Sequence, residues 1–203
     1  MITMYAAIRF FGCILLFLFF FLLYKRKNSP KRSFFVIAFV VLLGVYTLSL
    51  RIPVENAFLS FSSAETCFNY TNKELPTLTI QGQDSALVLG TDSNQYVCRI
   101  IEKSKSGWKI DPKGGSWNIP DDVPTGLIVL VYQHRKTSDT YLFVAAADHS
   151  ELVLSDSDNT NFIAITQKNN LSNENLYSYC AYIGKPLGQY ALSIDGAWLS
   201  ILL

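Results

Sequence analysis

The stretch Leu18–Val41, LFFFLLYKRKNSPKRSFFVIAFVV, decides how the chain is organised. Five of the nine residues from Lys25 to Ser33 are basic, and apolar runs flank them on both sides. From Ala6 to Tyr24 the only charge is Arg9, and from Phe34 to Leu50 there is none. A spanning helix needs roughly 20 mostly apolar residues to cross a ~30 Å hydrocarbon core. Each run reaches that length, the first with Arg9 snorkelling to the outer interface and the second ending before Pro53. The sequence therefore predicts a two-helix membrane hairpin over residues 1–52, with a tight basic turn at 25–33. "NSP" supplies the reversing residues.

The turn also sets the expected orientation. Lys25, Arg26, Lys27, Lys31 and Arg32 are the topology determinants, because Lys and Arg in short loops stay on the cytoplasmic side. Both termini then lie outside the cytoplasm, in a multi-pass protein of the cell membrane. A secretory signal peptide fits less well. Its charges precede the apolar run and a small-residue cleavage site follows, whereas here the charges follow the run. A buried soluble hairpin is disfavoured because CILLFLFFFLLY is apolar all round.

Charge separates the rest of the chain from this head. All 16 acidic residues lie at or after Glu55, while Arg9, Lys25, Arg26, Lys27, Lys31, Arg32 and Arg51 lie before it. The region from Arg51 onward is net acidic, which argues against a nucleic-acid partner, since phosphate binding needs a basic face.

Residues 53–111 read as a small α+β unit. FSSAETCFNYTN carries an S-x-x-E capping box at Ser62 and Glu65. Ala64, Cys67, Phe68 and Thr71 follow at helical spacing and form one core face. TLTIQ, SALVLG, QYVCRIIEK and GWKI then read as four strands of an antiparallel meander, with the helix over one face. Residues 112–125 are rich in Pro and Gly and form a connector. Residues 126–203 contain GLIVLVYQ, TYLFVAAA, ELVLS, NFIAI, LYSYCAYI, QYALSI and AWLSIL. Seven short strands at this spacing predict an antiparallel, β-sandwich-like unit.

FSSAETCFNYTN, with SALVLG, YVCRIIEKSKSGWKI and a late YALSIDG, resembles uncharacterised membrane-anchored or secreted extracytoplasmic proteins of Gram-positive bacteria. The resemblance covers residues 60–111 and 177–196, and Cys67 departs from the small apolar residue expected in its place. It implies location and fold, and no activity comes with it.

The chemistry-bearing residues are few. Cys67, Cys98 and Cys180 lie in the exported region, where disulfides persist. A Cys67–Cys98 bridge is the preferred pairing, against the alternative that all three thiols pack as small hydrophobes. His134 and His149 are the only histidines. Asp148, His149 and Glu151 in DHSE read as a polar hairpin turn. In SDSDNTN, Asp156, Asp158 and Thr160 alternate as in a calcium loop, but Asn161 stands where that loop needs Gly and Gln167 where it needs Glu. This too reads as a hairpin loop. Asp121 and Asp122 read as a solvated pair, and Asn69 and Asn170 begin Asn-x-Ser/Thr triplets. The sequence points to no catalytic residue, no metal ligand and no cofactor. Trp117, in the connector, is the expected exposed contact, while Trp108 and Trp198 are expected in the core.

The functional expectation is non-catalytic binding at the outer face of the membrane, with the lipid bilayer and an envelope protein or glycan as partners. The alternatives are a cell-envelope enzyme with a dispersed Asp/His site, or an accessory subunit of a membrane complex.

Overall fold

The computed structural model describes residues 4–27, 32–49, 52–92, 95–111, 115–121, 123–134, 136, 138–148, 150–168, 175–184 and 188–202. Two helices lead. α1 (Met4–Lys27) is long and apolar enough to cross a membrane, over Ala6–Arg26. α2 (Arg32–Ser49) packs beside it but is shorter. Its 18 residues rise about 27 Å at 1.5 Å each. Of the basic cluster, Lys25 and Arg26 are exposed in the last turn of α1, Lys27 ends that helix and Arg32 begins α2. Lys31 lies outside the described residues.

A 3₁₀ turn (Val54–Ala57) leads to α3 (Ala64–Thr71). The cap of α3 differs from the expected box by one residue. Ser63 is the N-cap, and its Oγ accepts from the Thr66 amide at 3.2 Å. The shift turns Tyr70 inward with Ala64, Cys67 and Phe68, and leaves Thr71 half-buried, bonding back to the Cys67 and Phe68 carbonyls.

Four strands form the expected meander: β1 (Leu75–Gln81), β2 (Ser85–Asp92), β3 (Gln95–Ser104) and β4 (Gly107–Lys109), paired in that order. Strand alternation sends Ala86, Val88 and Ile101 to α3, and Leu87, Leu89 and Ile100 to the opposite face.

The remaining strands build two sheets. β5 (Ser116–Asn118), β6 (Leu127–Gln133), β7 (Thr140–Ala146), β9 (Ile163–Lys168) and β10 (Asn175–Gly184) form one, in the order β5-β6-β7-β10-β9. β8 (Leu154–Asp156), β11 (Gln189–Ile194) and β12 (Ala197–Leu202) form the other, in the order β12-β11-β8. The seven expected strands are present, and β5 adds an eighth inside the connector. DHSE and SDSDNTN are not hairpin loops. Each is a crossover between the five- and three-stranded sheets, because β8 pairs with β11 rather than with β7 or β9.

The three sheets stack, with the five-stranded sheet in the middle. Val129, Val131, Leu142, Val144, Ala181 and Leu192 pack on one side of it, between it and the three-stranded sheet. Tyr141, Phe143, Ala145 and Cys180 on its other side meet Ile80, Leu87, Leu89 and Ile100 of the meander. All seven residues of β7 are buried. A strand covered on both faces has no polar face to alternate with, which is why TYLFVAA reads as a continuous apolar run. The units expected on either side of residues 112–125 thus share a core.

Candidate functional site

Among the described residues, two polar constellations in this apolar stack bring side chains of opposite charge type together. One joins the helical head to the β-region. Arg9 does not snorkel. Its side chain is buried, and Nε and Nη2 donate to the two carboxylate oxygens of Glu55, with the Nε bond at 2.9 Å. Nη2 also donates to the Ile52 carbonyl at 2.9 Å. Burial raises the pKa of the Tyr70 hydroxyl, the Glu55 charge adds to that, and the Arg9 charge opposes it. Asn56 completes the junction, its side chain bonding both the carbonyl (2.7 Å) and the amide (2.9 Å) of Ile110.

The other constellation lies at the seam between the meander and the five-stranded sheet. Glu102 is in β3, Asp111 follows β4 and His134 follows β6. In the β3–β4 ladder Glu102 faces Lys109, so Glu102 and Asp111 share the sheet face that Ile100 presents to the central sheet. His134 Nε2 lies 3.5 Å from Asp111 Oδ2. One ligand-type atom from each of the three residues falls within 4.8 Å of the others. The imidazole has no solvent exposure, Asp111 is 13% exposed and Glu102 26%. Lys136 reaches over the mouth, its Nζ donating to Glu102 Oε2. That hydrogen bond raises the lysine pKa, against desolvation, with the Glu102 and Asp111 charges reinforcing it. Backbone packing brings the strands together here. Gly115, at φ +86°, passes so close that a Cβ on it would lie 2.7 Å from both the Gln133 carbonyl oxygen and Ile100 Cδ1.

The residues singled out by sequence fare differently. Cys67 and Cys98 are free thiols and do not pair. Cys67 packs between α3 and the meander, while Cys98 faces the opposite cluster with Cys180 and Tyr132. Successive strand residues alternate faces, and the meander itself separates the two sulfurs. Burial pushes the Cys67 thiol up to about 12 and raises Cys98 and Cys180 as well. Trp117 is exposed, at 61%, on edge strand β5 beside the exposed Ile119. Trp108 is buried. Trp198 is not in the core, being 66% exposed, because Leu199 and Ile201 take the inward positions of β12.

Asp148 accepts from the Ser150 amide and Glu151 is exposed. Asp156 turns inward, accepting from the amides of Asp158 and Thr160 and from the Tyr190 hydroxyl. These bonds occupy the carboxylate that a calcium loop would offer to an ion. Asp121 is exposed, and His149, Asp122 and Asn170 lie outside the described residues.

Sequence reading missed Glu102 and Asp111, and it passed over His134. Their spacing of 9 and 23 positions carries no motif. They converge only because two sheets pack face to face. Comparison of the chain with known protein families, with curated proteins and with solved structures finds no match.

Proposed function

We propose that the chain is a two-span membrane protein whose β-region lies outside the cytoplasm and acts by binding. The observation that carries this reading is the apolar surface left uncovered on both leading helices. Phe11 and Leu15 of α1 are 63% and 66% exposed, and Ile37 and Phe39 of α2 are 64% and 66% exposed. A continuous apolar surface of this kind is stable in hydrocarbon and not in water. The few ångströms by which α2 falls short of a bilayer are within what local thinning accommodates. The basic turn supports a cytoplasmic loop, and the resemblance to anchored extracytoplasmic proteins points the same way.

The competing account of α1 is a cleaved signal sequence. Its removal would leave Glu55 buried without the guanidinium that neutralises it, which is costly. Mass spectrometry of the intact protein from native membranes tests this. A mass beginning at Met1, in a fraction resistant to alkaline extraction, supports the anchor. A mass beginning near residue 28 overturns it.

Binding is the reading supported by the exposed Trp117 on the open edge strand β5, with the exposed Ile119 just past the strand's end. An edge strand offers backbone pairing to a partner protein, and the indole offers a stacking face to a glycan. A bilayer below and an envelope protein or glycan beside β5 are the proposed partners. One observation favours an envelope enzyme instead, the approach of His134 to Asp111. Its imidazole is wholly buried, however, and a general base must reach its substrate.

A further inference from the structure

We propose that Glu102, Asp111 and His134 form a binding site for one divalent transition-metal cation of the zinc class, with Lys136 as the internal cation that the metal displaces. Three observations carry this. The donor set is one imidazole nitrogen and two carboxylates, and borderline cations such as Zn²⁺ take these donors together. Two carboxylates and a neutral imidazole also balance a double positive charge. The spacing already approaches coordination geometry. Ligands about 2.0–2.1 Å from a tetrahedral ion lie roughly 3.4 Å from one another, and His134 Nε2 and Asp111 Oδ2 are 3.5 Å apart. A Glu102 oxygen lies within 4.8 Å of both, and its partly exposed side chain leaves it room to close on an ion.

The third observation is Lys136. Its ammonium sits on Glu102 while its side chain remains 63% exposed. A flexible lysine at the mouth of an acidic site neutralises it without closing it, and swings out when a more highly charged ion enters. The ligands come from β3, the second residue after β4 and the residue after β6, so a bound ion would fasten the meander to the central sheet. It would also hold the start of the 112–125 connector, which leads to Trp117. The remaining coordination positions would be left to water or to a donor atom of a partner.

The test uses the full chain in detergent micelles, titrated with Zn²⁺ alone against a chromophoric chelator and, separately, with Co²⁺ followed by its visible spectrum. The expected result is one saturable Zn²⁺ per chain, a Co²⁺ spectrum of low coordination number, and a rise of roughly 5–10 °C in the unfolding midpoint at saturating metal. Asp111→Asn and His134→Gln should each weaken Zn²⁺ binding at least tenfold. Lys136→Met should tighten it by up to about fivefold, the worth of an exposed ion pair. His149→Gln should leave it unchanged. If His134→Gln does not fold by circular dichroism, Asp111→Asn and Glu102→Gln decide the matter, since both sites are partly exposed. No saturable binding by the wild-type chain overturns the proposal. So does binding that survives Asp111→Asn, or binding lost on His149→Gln.

Discussion

The guanidinium of Arg9, in the first helix, and the carboxylate of Glu55, in the 3₁₀ turn that opens the β-region, are buried against each other across 46 positions of sequence. Neither charge can leave without stranding the other in buried surroundings. Removing one partner of a buried pair typically costs about 3–5 kcal/mol, while replacing both with apolar groups is often neutral. Arg9→Met and Glu55→Leu should therefore each lower thermal stability in micelles by that order. The double variant should recover most of the loss. Equal additive losses in the double variant would show that the two residues do not act as a pair.

Topology has its own test. A membrane-impermeant thiol reagent should fail to label Ser29→Cys, in a background lacking Cys13, when cells are intact, and should label it after lysis. The expectation rests on the five basic residues of the 25–33 turn. Labelling of intact cells would invert the orientation.

Asp139 should set the acid limit of the β-region. It is fully buried and accepts from the Gln83 and Asp84 amides, Ser85 Oγ and the Tyr182 hydroxyl. Burial pushes its carboxyl pKa up, but the bonds from Ser85, Asp84, Tyr182 and Gln83 outweigh that and hold it below the ordinary value. A lowered folded-state pKa stabilises the protein above the unfolded carboxyl value of about 3.9. That contribution is lost as pH falls through the folded-state value. Asp139→Asn should cost about 1–3 kcal/mol at pH 7, because the amide turns a donor toward donors. The stability difference between wild type and variant should shrink below about pH 4. Gly82→Ala should act on the same cluster, since its Cβ would lie 2.5 Å from the Tyr141 hydroxyl oxygen and 2.8 Å from Asp139 Oδ2.

The thiols should be inert. With the Cys67 pKa at about 12, only about one part in 10⁴ is thiolate at pH 8, and the thiolate is the reactive form. Alkylation of native Cys67 should run at least 10³-fold slower than that of an exposed cysteine. Peptide mapping without reduction should show no Cys67–Cys98 bond.

The tryptophans should divide by exposure. Trp108→Ala should cost about 3–5 kcal/mol, as a large buried side chain does. Trp117→Ala and Trp198→Ala should stay within about 0.5 kcal/mol of wild type. Loss of partner capture from native membranes by Trp117→Ala, with folding intact, would assign the contact to β5. Undiminished capture would remove it.

The elements themselves were legible along the chain. Apolar runs of helical length gave α1 and α2, Ser and Glu ahead of an apolar stripe announced α3, and period-two alternation or short apolar runs between turn residues marked eleven of the twelve described strands. These are local signals, carried by neighbours within a few positions. The exposure of Trp117 was also legible, because a Gly- and Pro-rich stretch cannot surround an indole with a core.

The relations between elements were set by how their faces pack. Strand pairing sent β8 away from its chain neighbours, which turned two expected hairpin loops into crossovers and put Trp198 on an outer face. Sheet pleating set Cys67 and Cys98 on opposite sides of the meander. The stacking of the meander on the central sheet brought His134 to Asp111 and Glu102. Arg9 found Glu55 through the docking of a helix on the turn beneath α3. Each of these depends on which faces pack together. That choice is made by the summed burial of many apolar side chains, and no short stretch of sequence records it.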